Sequence, residues 1–208
     1  MTAFERRAGS RGLFGLIFGK QAEYVRRLAP AFALCLFCFA FSLSVGYYLG
    51  DQIPTSLLES ILGGLPDLKN LDLTMIFLFI VINNVVKSFV WMLLGVAGGF
   101  PPLVFTLLNG FFLGNFSYSV SIEHSLGFTA AALIPHGIIE IPTILLSSAA
   151  GMTLGYALIN RLKGQGSLKV EFGRAIFFFL TKIVPLLILA GVIEVTLTPM
   201  VIGFIGFI

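Results

Sequence analysis

Five stretches of this chain each stay apolar for about twenty residues or more, and no other feature limits its folding as severely. A bilayer core about 30 Å thick is crossed by about 20 apolar residues in a helix. Within that core every backbone N–H and C=O must find its partner inside the protein, which helices do segment by segment. The sequence therefore predicts an all-α, polytopic membrane bundle with spans near 30–49, 73–97, 103–122, 138–159 and 175–197. Charged residues fill only 11% of the 208 positions, against roughly 25% in a soluble domain, so no soluble unit is expected. The predicted organisation is one membrane domain over 30–208 behind a basic, partly amphipathic segment, 1–29. In that segment Leu13, Phe14, Ile17 and Phe18 accompany Lys20, Arg26 and Arg27, a composition suited to a short helix lying among headgroups.

Charge is segregated along the chain. Arg6, Arg7, Arg11, Lys20, Arg26 and Arg27 outweigh Glu5 and Glu23 at the start, and Arg161, Lys163, Lys169 and Arg174 outweigh Glu171 between the last two spans. The connector 50–72 is acidic, with Asp51, Glu59, Asp67 and Asp72 against Lys69, and Glu123 adds an acid after the third span. The positive-inside rule then sets the N-terminus in the cytoplasm and, with five spans, the C-terminus outside. The basic residues meet lipid headgroups first, which disfavours a nucleic-acid partner. The first span lacks a small-residue cleavage site and reads as a retained anchor.

Two interruptions shape the expected path. Gly98, Gly99, Pro101 and Pro102 form a tight break, with proline at a helix start where its missing N–H costs nothing. From Phe128 to Ile159 the run is too long for one upright helix and contains Pro135 and Gly137. It reads as a re-entrant or interfacial piece near 126–137 before a span over 138–159, in preference to one long kinked helix. In the connector 50–72, Ile61 and Leu62 could pack a short helix on the membrane face. Cys35 and Cys38, the only cysteines, lie inside the first span and are expected to be buried and reduced.

Polar side chains at depth carry the functional information, because a charged group at a helix centre costs roughly 2.5–3.5 kcal/mol and turns towards protein. In the second span Asn83, Asn84 and Lys87 form a patch, with both amides three or four residues from the ammonium. His136 and Glu140, one turn apart, can address one object, and Thr143, Ser147, Gly151 and Gly155 continue that face as a small-residue packing stripe. Gly110 and Gly114, with Asn109 beside them, predict close approach of the third and fourth helices. Glu194 lies towards the end of the fifth. A Lys87–Glu140 ion pair is the expected centre of the cluster.

In order and spacing these residues resemble the stage II sporulation protein M family. The resemblance is carried by Asn83-Asn84 with a basic residue three on, Asn109-Gly110 followed by Leu113-Gly114, Pro135-His136-Gly137 with Glu140-Ile141-Pro142, and Ile193-Glu194 before Thr198-Pro199. Thr143 departs from the more usual alanine but stays small. The resemblance implies a five-span bundle in the plasma membrane of a prokaryote and, in sporulating members, a scaffold that holds cell-wall hydrolases at a septum.

The residues themselves support several readings. One is a hydrogen-bonded network of Asn84, Lys87, Asn109, His136, Glu140 and Glu194 that decides which helices pair. A small transporter or an ion or proton pathway is the alternative. No metal or other cofactor is assigned: His136 and Glu140, with Glu194 as a third ligand, are weak candidates, since His124 falls in a loop and zinc wants at least three protein ligands. Enzyme chemistry is not expected, because no HExxH spacing occurs and no base stands beside Ser147 or Ser148. The expected partners are the lipid bilayer and other membrane or envelope proteins, and the GxxxG faces are compatible with a homodimer.

Overall fold

Six α-helices and one π-helical turn make up most of what the computed structural model describes, residues 13–53 and 72–204, with side chains from residue 21 onward. No strand occurs among these residues. Helix α1 is Leu13–Tyr48, α2 Leu73–Leu94, α3 Phe100–Glu123, α4 Leu126–Leu162 and α5 Leu168–Phe178, which continues through a π turn, Phe179–Ile183, into α6, Val184–Phe204. Five segments of the described chain are long and apolar enough to cross a bilayer: Gln21–Tyr48, Leu73–Leu94, Phe100–Glu123, Leu126–Leu162 and Leu168–Phe204. The protein is a multi-pass membrane protein with the expected number of spans. Arg6, Arg7 and Arg11, the connector with Ile61 and Leu62, and residues 205–208 lie outside the described residues.

Local chemistry sets the helix ends. The Asp72 carboxylate accepts from the Met75 N–H at 2.8 Å, and Ser125 Oγ accepts from the Phe128 N–H at 3.1 Å, each filling an otherwise orphaned donor of a first turn. Gly98 and Gly99 have φ of 74° and 79°, and Pro101 and Pro102 start α3 immediately after them. This is the tight break that the sequence predicts.

The prolines inside helices do less than the sequence reading expected. Helix α1 runs unbroken through Pro30, so the supposed headgroup helix and the first span are one element. Helix α4 runs through both Pro135 and Pro142 for 37 residues, which corrects the re-entrant reading of 126–137. A proline removes one N–H and crowds one carbonyl four residues back, but it does not reverse the chain. Positive φ among the described residues is confined to Gly98, Gly99, Gly164 and Gly166, all outside the proline-bearing stretch of α4. Gly137 stays helical and buried.

Helix α4 packs against all five other helices and buries Thr143, Ser147, Ser148, Ala149, Ala150, Gly151, Leu154 and Gly155. Lipid tails are as apolar as leucine, so such packing rests on close van der Waals approach rather than on expulsion of water. Two seams supply that approach. Along the first, a Cβ on Gly151 would stand 2.8 Å from the Met92 carbonyl oxygen, and one on Gly155 would stand 2.7 Å from the Gly95 oxygen and collide with the Gly99 amide. Along the second, a Cβ on Gly110 would meet Ser42 and the Phe39 carbonyl, 2.5 Å away, and one on Gly114 would meet the Leu43 carbonyl. The GxxxG of α3 therefore serves α1, not α4. The reason lies in α1, where Ser42 and Gly46 form a matching stripe that Gly50 continues just past the helix end: a Cβ on Gly46 would collide with the Phe111 carbonyl.

The main core joins Tyr24 and Leu28 of α1, Met92 of α2, Ala149, Ala150 and Leu154 of α4, and Phe178, Phe179, Ile183 and Leu187 of the last span. Cys35 and Cys38 are free thiols; Cys35 is buried with its Sγ 3.6 Å from Met152 Sδ, and Cys38 is half-buried. Phe37, Phe41 and Ile138 stand on the outer surface, where apolar side chains suit lipid.

Candidate functional site

The polar site is assembled where α4 and α6 run antiparallel. His136 and Glu140 are one turn apart on α4, and Glu194 and Thr198 are one turn apart on α6. Descending one helix while ascending the other pairs His136 with Thr198 and Glu140 with Glu194. His136 Nδ1 lies 3.4 Å from Thr198 Oγ1. One ring nitrogen of His136 and one carboxylate oxygen from each of Glu140 and Glu194 all lie within 4.8 Å of one another, with all three residues half-buried. Helix α2 closes the third side: Asn84 Nδ2 donates to Glu140 Oε1 at 3.0 Å.

With its hydroxyl given to the Ile193 carbonyl, Thr198 favours one tautomer of the histidine. It donates to the Ile193 carbonyl at 3.3 Å, so towards His136 its oxygen can only accept. Nδ1 then carries the proton, and Nε2 keeps its lone pair for a ligand. Within the bundle the group thus offers one neutral imidazole nitrogen and two carboxylates, held by an amide and a hydroxyl that orient them.

Other residues singled out in the sequence stand elsewhere. Lys87 is exposed on the outer face of α2, where it shares a shallow groove with Phe79, Ile82, Asn83 and Val86. It makes no ion pair with Glu140 among the described residues: Lys87 stands about 60° around α2 from Asn84, whereas Ser88, four residues past Asn84, faces α4. Asn109 donates to its own helix, Nδ2 to the Phe105 carbonyl at 2.7 Å. Of the packing stripe, Ser147 Oγ donates to the Ser88 carbonyl of α2 at 3.0 Å, and Gly151 and Gly155 form the α2 seam.

Residues 31–199 match the family described as stage II sporulation protein M. The chain belongs to that family. The chain is also similar to two archaeal proteins from Methanocaldococcus jannaschii, each described as uncharacterized. It is 28% identical to MJ0706 over 166 residues, covering 73% of this chain and 68% of the relative, and 28% identical to MJ0793 over 123 residues, covering 58% and 69%. No solved structure matches it.

In this member of the stage II sporulation protein M family, three features escaped the sequence reading. Thr198 was visible only as a family residue, although its place four after Glu194 marks the same helix face. Asn115 of α3 is fully buried with neither amide atom hydrogen-bonded, and nothing in its apolar neighbours signals that depth. At the opposite end of α4, Glu171 is buried between Arg27 at 3.7 Å and Arg174 at 3.3 Å, with the arginines about half exposed. They border a cavity of about 640 Å³ shared by α1, α4 and α5. The sequence showed Glu171 and Arg174 only as connector charge and Arg27 only as part of the basic N-terminal segment, since α1 meets α5 through tertiary structure alone.

Proposed function

We propose that the protein is a membrane assembly platform of the stage II sporulation protein M type. In this reading it sits in a prokaryotic cell membrane with its N-terminus in the cytoplasm, holds other envelope proteins in place and is not an enzyme. The observation that supports this best is packing at backbone level along two seams, at Gly151 and Gly155 against α2 and at Gly110 and Gly114 against α1. Helices that close cannot rock or slide without collision, and a rigid frame suits holding partners. Peptidoglycan hydrolases are the partner class that the family resemblance suggests. Cross-linking in intact cells followed by purification in mild detergent tests this: specific enrichment of a hydrolase, lost when the chain is removed together with the hydrolase's localisation, supports it. A chain that recovers no envelope protein and whose removal leaves localisation unchanged overturns it. The same purification reports whether the chain is a homodimer.

A second reading, an ion or proton pathway, is favoured by one observation, the meeting of His136, Glu140 and Glu194 within the spans. Reconstituted vesicles distinguish the two: flux that Glu140→Gln abolishes supports the pathway, and tight vesicles support the platform.

A further inference from the structure

We propose that His136, Glu140 and Glu194 bind one divalent transition-metal ion of the zinc class, which staples α4 to α6 inside the membrane. This goes beyond the platform reading and stands or falls separately from it.

Three independent observations carry the proposal. The first is geometric. The ligand atoms lie within 4.8 Å of one another, and an ion about 2.1 Å from each in a tetrahedral site sets them about 3.4 Å apart. The largest separation must therefore close by up to about 1.4 Å. The second is charge. Two carboxylates face each other in a segment surrounded by hydrocarbon, where an uncompensated charge is costly. A divalent ion with two glutamates and a neutral imidazole makes a site of zero net charge.

The third is the set of groups behind the ligands. A metal-bound histidine typically donates its other N–H to an oxygen, and bound carboxylates are themselves hydrogen-bonded. Here Thr198 accepts from Nδ1, which leaves Nε2 for the ion, and Asn84 donates to one oxygen of Glu140, which leaves the other. A mixed set of imidazole and carboxylate selects zinc, manganese or iron over magnesium and calcium, which prefer oxygen alone. Three protein ligands also leave a fourth position open.

The test uses the full-length protein in detergent, stripped with chelator and then titrated with Zn²⁺ alone, with uptake measured by elemental analysis. The expected result is one equivalent per chain, a rise in melting temperature, and visible absorption bands of tetrahedral geometry when Co²⁺ replaces Zn²⁺. His136→Gln and Glu194→Gln are expected to abolish stoichiometric uptake. Thr198→Val keeps all three ligands and is expected to weaken Zn²⁺ binding about 10- to 100-fold; as a positioning residue it should also shift the Co²⁺ bands, which a purely structural role would not do. Lys87→Gln, on the outer face, is expected to bind as the parent does. Should His136→Gln fail to fold, the parent's Co²⁺ spectrum and Thr198→Val still decide. The proposal is overturned by a folded, monodisperse parent that takes up no Zn²⁺, by a folded His136→Gln that binds as tightly as the parent, or by Mg²⁺ or Ca²⁺ binding as tightly as Zn²⁺.

Discussion

Replacing Gly151 by alanine adds one methyl group at the α2–α4 seam, and the structure sets its cost. The new Cβ would stand 2.7 Å from Pro102 Cγ, 2.8 Å from the Met92 carbonyl oxygen and 2.9 Å from Met92 Cα. Favourable carbon contacts begin near about 3.5 Å, so α2 and the start of α3 must retreat by about 0.6 Å. A gap of that size forfeits about a quarter to a half of each attraction of about 0.15 kcal/mol, and over roughly 50 atom pairs along the seam the loss is about 2–4 kcal/mol. Alanine's better helix propensity returns about 1 kcal/mol. The expected net loss is about 1–3 kcal/mol.

Trp91, the only tryptophan, stacks on Phe105 with ring centroids 5.3 Å apart, one residue before Met92. Its fluorescence reports unfolding of this seam as the mole fraction of SDS is raised in mixed micelles. Gly173→Ala is the control, because a Cβ there meets nothing within 4 Å, and it is expected to be at least as stable as the parent. A Gly151→Ala protein that unfolds with the parent, or an equal loss from Gly173→Ala, would refute the argument that backbone approach at this glycine holds α2 to α4.

Lys87→Leu and Glu140→Gln are expected to change stability additively within about 0.5 kcal/mol; a double-mutant cycle giving more than about 1 kcal/mol of coupling contradicts the outward placement of Lys87. Asn115→Leu removes a buried amide with no hydrogen bond, so the variant should equal or exceed the parent in SDS titration by about 1 kcal/mol; a loss above about 2 kcal/mol would show that the amide has a partner in the working protein. Arg27→Gln or Arg174→Gln alone should cost under about 1 kcal/mol because each arginine is half exposed and the other still faces Glu171. Removing both should cost more than the sum, since a buried carboxylate then loses both of its partners, and simple additivity argues against a shared role.

The residues that set the protein's class are readable one segment at a time. Twenty apolar residues in a row make a membrane helix whatever surrounds them, and Gly98-Gly99 before Pro101-Pro102 makes a turn from local sterics. The same local logic singled out His136, Glu140 and Glu194. What it could not supply was the rotation of each helix about its axis. Successive residues are about 100° apart on a helix, so Asn84 can face Glu140 while Lys87, three residues on, stands outside. A soluble helix advertises its buried face by polarity on the other side. A membrane helix such as α6 is apolar over most of its surface, and lipid exerts no comparable preference among leucine, isoleucine and phenylalanine. Which face of α3 meets α1, whether α4 continues past Pro135, and that Thr198 and Glu194 come down beside His136 and Glu140 were therefore decided by the fit of glycine seams between distant helices, a property of the assembled bundle and of no single stretch within it.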